Sequence, residues 1–219
     1  MGGWPLISVI TPTWQRHAEL TTTCMPSVRN QTYPGEIEHV IVSDGPDPGL
    51  AAAMIRSGRP GRRVSLVLGE LASHDPAIRW GYRAKLRGVQ LATGSLVAWL
   101  DDDNTFRPAH LHRLARLLRD HPEAGFAYSR IEMHHAHRSV IVGSDPPMFG
   151  GIDTSAILHR REILDVATWQ TGVPADDWDL VERWMKAGVT WACDPQITAD
   201  YYYRDCKYPS PPITREVRF

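Results

Sequence analysis

Asp101, Asp102 and Asp103 stand side by side directly after the apolar run Leu96 to Leu100, and Asn104 follows them. Three adjacent carboxylates at the end of a buried strand repel one another, and protein partners satisfy all three only at high cost. A hard divalent cation resolves that conflict, because Mg2+ or Mn2+ takes carboxylate oxygens together with the phosphate oxygens of a substrate. The competing reading is a solvated acidic turn that caps a helix starting near Pro108. The apolar strand immediately ahead of the triplet weighs against it. Asp44 is a second acidic residue at a strand end, since it closes the apolar run His39 to Ser43 and precedes Gly45-Pro46. At neutral pH a carboxylate only accepts hydrogen bonds, so Asp44 suits a ligand that presents an N–H; the plain alternative is an Asx turn. Asp176 and Asp177 lie near a helix start predicted after Pro174, where capping is the structural alternative.

These residues need elements to hold them. Leu6 to Thr11 reads as a buried strand whose regular pairing Pro12 ends. Leu20, Cys24 and Val28 recur at a spacing of four in a helical stretch from Ala18 to about Val28, which Pro26 would kink. His39 to Ser43 and Val64 to Leu68 are two further strands, and a helix around Ile78 to Leu91 leads into the strand Leu96 to Leu100. Beyond Pro108, Leu111, Leu114, Ala115 and Leu118 keep helical spacing. Strands alternating with helices predict an α/β fold, a mostly parallel sheet with helices on both faces. Such sheets bind ligands outside the carboxyl ends of their strands, where both Asp44 and the triplet fall.

From about Phe126 the pattern changes to two strands, Phe126 to Met133 and Arg138 to Val142, joined by a His-rich turn. Gly150-Gly151 then leads to a helix-bearing section with Trp178, Leu180, Val181, Trp184 and Met185. The chain is expected to be one domain over 1–219, with a ligand-binding half over 1–125 and a second, smaller half over 126–219. His134, His135 and His137 read as an exposed polar turn, because no acidic residue or cysteine completes a metal-ligand set nearby. Lys85 and Arg87 are cations on the helix before the triplet, and a solvated helix face is the plain account of both.

Bulk composition fits this picture. Apolar residues make up 42% and charged residues 22% of 219, enough to fill a core. Lysine plus arginine number 24 against 25 acidic residues, so no broad basic face calls for a nucleic-acid partner. Cys24, Cys193 and Cys206 are too few and too scattered for a disulfide framework or a zinc site. An odd number of thiols fits a reducing compartment. The start carries no basic signal-peptide region, and no apolar run reaches the length of a membrane span. The expectation is a cytoplasmic protein without a transmembrane segment.

Six ordered segments resemble family 2 of the glycosyltransferases, enzymes of the GT-A fold. Ile10-Thr11-Pro12-Thr13-Trp14-Gln15-Arg16 is similar to that family's first-strand motif, and Ser27 to Tyr33 resembles its helix-to-strand link. Val42-Ser43-Asp44-Gly45 matches the end of its second strand. Ala92-Thr93-Gly94 with Trp99 to Asp103 matches the approach to its DxD metal motif. Ile152-Asp153-Thr154-Ser155 with Arg160-Arg161-Glu162 is similar to its acceptor-side segment, and Asp176-Asp177-Trp178-Asp179-Leu180 to a Glu-Asp-x-Asp-Leu helix start. The sequence departs from the family at Leu86, where an Asn is usual.

The resemblance implies a Rossmann-like GT-A fold with a nucleotide-sugar-binding half and a smaller acceptor-binding half. It implies an inverting, metal-dependent transfer of a sugar from a nucleotide diphosphate donor, with UDP favoured, to a hydroxyl. The acceptor class stays open among a glycan, a lipid-linked sugar and a small molecule. Thr11, Pro12 and Arg16 would line the base pocket, and Asp44 would accept the N3–H of a pyrimidine such as uracil. Lys85, Asp101 and Asp102 would meet the diphosphate, ribose or donor sugar. Asp103, with Asp101 as the alternative, would ligate Mn2+ or Mg2+. Asp177 would be the general base that takes the acceptor hydroxyl proton, with Asp176 its rival and Asp179 structural. A third protein ligand to the metal could come from Asp200 or Asp205, since no histidine follows His159. Two other readings remain. A sugar-nucleotide nucleotidyltransferase would need a Gly-rich triphosphate loop, which Pro12 to Arg16 lacks. A non-catalytic binding subunit would have no use for Asp103 and Asp177.

Overall fold

The computed structural model describes residues 3–58, 63–77, 81–170 and 176–203. The first part of the chain runs β1 (Ile7–Thr13), α1 (His17–Glu19), a π turn (Leu20–Cys24), α2 (Met25–Arg29), β2 (Ile37–Ser43), α3 (Leu50–Arg56), β3 (Val64–Glu70), α4 (Tyr82–Leu91) and β4 (Leu96–Trp99). The second part runs β5 (Thr105–Phe106), α5 (His110–Asp120), β6 (Ala124–His135), β7 (Arg138–Val142), β8 (Ile157–Arg160), α6 (Asp176–Lys186) and β9 (Thr190–Tyr202). All nine strands join one mixed sheet in the order β3-β2-β1-β4-β8-β6-β9-β5, with β7 hydrogen-bonded to β6. The block β3-β2-β1-β4 is parallel. β8 runs antiparallel to both β4 and β6, so the sheet continues unbroken past the composition change near Phe126.

Strand alternation explains how the helices divide between the two faces. Gly88 of α4 lies against the Ile10 side chain, on one face of β1. Thr11, the next residue, turns to the other face and meets Cys24 of the π turn at 3.6 Å. Trp99, Trp184, Tyr128 and Phe126 are the largest fully buried side chains. α5 buries His110, Leu111, Leu114, Ala115 and Leu118, the stripe its spacing predicts.

Two local expectations are corrected. Pro12 does not end β1: it pairs in register with Val42 and the strand runs on to Thr13. The even-numbered residues of β1 bond toward β4, as Ile10 does in accepting from Leu100 N, and the β4 ladder stops opposite Ile10. The missing N–H of Pro12 therefore points where no strand remains to bond it. Nor does Pro26 kink a single helix. It sits in the first turn of α2, where its lost N–H is tolerated, and the π turn before it takes up the extra residue.

Three buried imidazoles set the response of the fold to acid. Burial lowers His39 and His110 to about 3 and His159 to about 4. His39 meets Thr11 Oγ1 at 3.0 Å, and His110 meets Thr198 Oγ1 at 2.6 Å. Each must stay neutral in the folded state but can protonate freely once unfolded. Their contribution is therefore complete above the ordinary histidine pKa and is lost as pH falls through 6.5 toward those lowered values. Between pH 6.5 and 5 each imidazole costs about 2 kcal/mol. Urea midpoints should accordingly drop steeply from pH 7.5 to 5, and equal midpoints would contradict this account.

Candidate active site at the carboxyl edge of the sheet

The parallel block brings the carboxyl ends of β2, β1 and β4 side by side. Asp44 N donates to Thr13 O at 2.9 Å, which joins the ends of β2 and β1. Thr13 Oγ1 donates to Asp102 Oδ2 at 2.8 Å, which joins β1 to the triplet after β4. Arg16, just past β1, bridges the triplet: its Nη1 lies 3.0 Å from Asp102 Oδ1 and its Nη2 2.5 Å from Asp103 Oδ2. Asp102 is only 4% exposed, and burial raises its pKa to about 7 although Arg16 and Thr13 pull it down. Burial also opposes the charge of Arg16, but Asp102 and Asp103 outweigh it and hold Arg16 above its ordinary pKa.

This geometry bears on whether a divalent cation fits. The guanidinium of Arg16 stands in for a cation between two carboxylates, so the triplet does demand positive charge. Asp102 has both oxygens engaged by protein and is the least suited of the three to bind a metal. Asp103 uses one oxygen on Arg16, and Asp101 is half-buried at the rim. Asp103 and Asp101 are the residues that fit the ion.

Asp177 reaches this edge through two contacts. Its Oδ2 accepts from Thr154 N at 3.4 Å, and Ser155 Oγ lies 3.5 Å from Asn104 Nδ2, next to Asp103. Asp176 begins α6, while Asp179 pairs with Arg183 one turn along the helix at 2.7 Å, the structural role expected of it. Asn104 also accepts from Tyr202 N at 3.0 Å and so ties the triplet to β9.

Other expected residues fall differently. Pro12 packs beside Gly81 at the start of α4. Thr11 is fully buried with its hydroxyl on His39 and Cys24. Lys85 is not the solvated cation its helix position implied: it is 3% exposed, and its Nζ lies 4.0 Å over the Trp169 ring. Trp169 in turn meets Trp99 edge-on at 5.1 Å, two residues before Asp101. Arg87 does remain on the surface, bonded to Gln90. The His-rich turn is corrected as well. The parallel pairing of β6 with β9 sets Glu132 opposite Asp200, and His134 Nε2 lies 2.9 Å from Asp200 Oδ1. Arg107 binds both carboxylates of this group, at 2.7 Å to Glu132 and 2.7 Å to Asp200. Asp200 thus already has a cation. Asp205 and Cys206 lie outside the described residues, and among the described residues no helix is long and apolar enough to cross a membrane.

Two aromatic residues complete the site, and neither stood out as a site residue in the sequence. The Trp14 and His74 rings stack at 4.5 Å with an interplanar angle of 8° beside Asp44. Asp44 is 6% exposed, and its Oδ1 is buried without a hydrogen-bond partner among the described residues. Burial raises the Asp44 pKa, against the pull of His74 and Arg83. The only sequence signal for His74 was a polar residue in a loop that follows a strand at the ligand-binding edge.

Comparisons with known proteins bear on the family and the fold. A family model described as Glycosyl transferase family 2 matches residues 74–138. A PGL/p-HBAD biosynthesis glycosyltransferase of Mycobacterium bovis is 30% identical over 166 residues, which cover 74% of this chain and 58% of that protein. An N-acetylglucosaminyltransferase of Rhizobium meliloti is 28% identical over 55% of this chain and 27% of its own length. The chain spans less than two thirds of either relative. S. aureus TarS 1–349, solved in complex with UDP-GlcNAc, superposes with a TM-score of 0.73 at 15% identity over 92% of this chain and 59% of that one. The mannosyltransferase PcManGT from Pyrobaculum calidifontis, solved with GDP-Man and Mn2+, gives 0.72 at 19% identity over 94% and 59%. At those identities the two structures speak for the fold alone.

Proposed function

We propose that the chain is a glycosyl transferase of family 2 and that it moves a sugar from a nucleoside diphosphate donor, UDP favoured, to an acceptor hydroxyl with inversion at the anomeric carbon. The observation that carries this reading is Asp44 Oδ1, a buried carboxylate oxygen at the end of β2 without a partner among the described residues. A buried acceptor left unpaired is expensive, and a base N–H in the pocket would satisfy it. Fold neighbours solved with UDP-GlcNAc and with GDP-Man support the donor class.

In this reading the donor lies along the carboxyl edge, with its base at Asp44 and its diphosphate toward Asp101, Asp102 and Lys85. Asp103 and Asp101 hold Mn2+ or Mg2+, which when bound offsets the negative charge that gathers on the departing diphosphate. Asp177 accepts the proton of the acceptor hydroxyl as its oxygen bonds to the anomeric carbon and the carbon–oxygen bond to the diphosphate breaks. Attack on the side opposite the leaving group inverts the configuration. The division into a donor-binding half over 1–125 and an acceptor-binding half over 126–219 follows from the same placement.

A thermal-shift screen of nucleotide sugars with Mn2+ tests the reading, because a ligand that binds only the folded state raises the melting temperature. A UDP-sugar is expected to give the largest rise, and no shift with any nucleotide sugar would overturn the proposal. Asp44→Ala removes a charge-assisted hydrogen bond and should weaken UDP binding by roughly 10- to 100-fold, as read by calorimetry. Pyrophosphate release from a nucleoside triphosphate and a sugar phosphate would instead favour a nucleotidyltransferase.

A further inference from the structure

Asp44 does not meet its ligand with two open oxygens. His74, in the segment after β3, places Nδ1 at 2.9 Å from the Asp44 backbone oxygen and 3.3 Å from Asp44 Oδ2. The backbone oxygen is an acceptor, so the proton sits on Nδ1 and is donated to it, while Asp44 Oδ2 lies within ion-pair distance of the same nitrogen. His74 therefore crowds Oδ2, and Oδ1 is the carboxylate oxygen with no partner among the described residues.

The imidazole is kept there by more than this bond. Its ring lies flat on the Trp14 indole, and the Trp14 ring and the backbone and Cβ of His74 close on Gly45, which has a φ of +142°. A Cβ at Gly45 would come within 2.7 Å of His74 Cβ, His74 N and Trp14 Cζ3. Glycine is thus required at this position twice, by conformation and by the closeness of the Trp14 ring and the His74 backbone. A ring fixed by stacking, by its own backbone against Gly45 and by a hydrogen bond to the Asp44 backbone oxygen has little freedom to move away from Oδ2 when a ligand arrives.

We propose that His74 determines which nucleotide base this chain accepts: it occupies Asp44 Oδ2, so only Oδ1 receives the base, and a base with one ring N–H is selected. This rests on the donor-binding reading of Asp44 and goes beyond it, because it assigns the choice of base to a residue outside the carboxylate. Uracil presents a single N3–H and is fully satisfied by Oδ1. Guanine presents N1–H and its 2-amino group side by side, a pattern that matches both oxygens of one carboxylate. With Oδ2 held by His74, one of those two donors is buried unpaired. Sites built this way discriminate because the wrong ligand leaves a polar group without a partner.

His74 acts through Asp44 and Trp14, so it is a positioning residue, and the test must separate its donor from its ring. His74→Phe keeps an aromatic ring to stack on Trp14 and removes the N–H. His74→Asn keeps an N–H donor in a smaller side chain. Calorimetric titration of the full chain with UDP and with GDP, Mn2+ present, reads the ratio of the two affinities. Wild type is expected to bind UDP roughly 10- to 100-fold more tightly than GDP. His74→Phe should bring the ratio to within about threefold, mainly through tighter GDP binding, and His74→Asn should keep the preference for UDP. An unchanged ratio in His74→Phe overturns the proposal, as does a wild type that prefers GDP. Wild type that binds neither nucleotide refutes the donor-site reading itself, whereas UDP binding with a ratio insensitive to His74 refutes this inference alone.

Discussion

Asp177→Asn is expected to lower kcat by about 10²- to 10⁴-fold while UDP affinity stays at the wild-type value. The substitution is nearly isosteric, so an amide oxygen can still accept from Thr154 N, 3.4 Å from Asp177 Oδ2. A cap would survive the change; a proton acceptor would not. The split between turnover and binding therefore separates the two roles. Asp176→Asn is the necessary companion, because Asp176 opens α6 immediately before it. If the larger loss of kcat falls on Asp176→Asn, the base is Asp176. If neither variant loses turnover, a carboxylate base at the start of α6 is wrong. Steady-state kinetics with a saturating UDP-sugar makes the measurement.

Asp103→Ala carries the other large effect. Removing the proposed metal ligand should reduce turnover by about 10³-fold or more, in keeping with several kcal/mol of leaving-group stabilisation by a bound cation. It should also abolish the gain in UDP affinity that Mn2+ gives the wild-type protein, which calorimetry reads independently of turnover. Asp102→Asn is the informative contrast. Asp102 is buried on Thr13 and Arg16, so its replacement is expected to act chiefly on the melting temperature rather than on the manganese titration. Should Mn2+ change neither UDP binding nor turnover in the wild type, the metal reading falls. Arg16 would then be the resident cation of the triplet.

Much of the site's layout was legible because its signals are local. Short apolar runs closed by Asp44-Gly45 and by Asp101-Asp102-Asp103 look like buried parallel strands with ligand-binding ends, and both occupy that edge. The leucine spacing of α5 was equally plain, since a helix writes its buried face into neighbouring residues. Lys85 was misjudged because a helical period marks which face is buried but not what lies across from it. The ring of Trp169 comes from a segment far along the chain. The His-rich turn was misjudged for a related reason: Asp200 joins Glu132 and His134 only through the register of β6 on β9.

By itself the sequence determined the resemblance to a family, the order of the parallel strands' apolar runs, and the positions of the carboxylates at their ends. These rest on residue type and short-range spacing, which a chain displays before it folds. The tertiary structure alone decided that Arg16 closes on Asp102 and Asp103, and that Arg107 is drawn to Asp200 and Glu132. It also decided that His74 stands against Asp44, its Nδ1 3.3 Å from Oδ2. Each of these is a pairing of charges or donors within about 3 Å, and such distances are set by sheet register and loop path, which no spacing along the chain encodes.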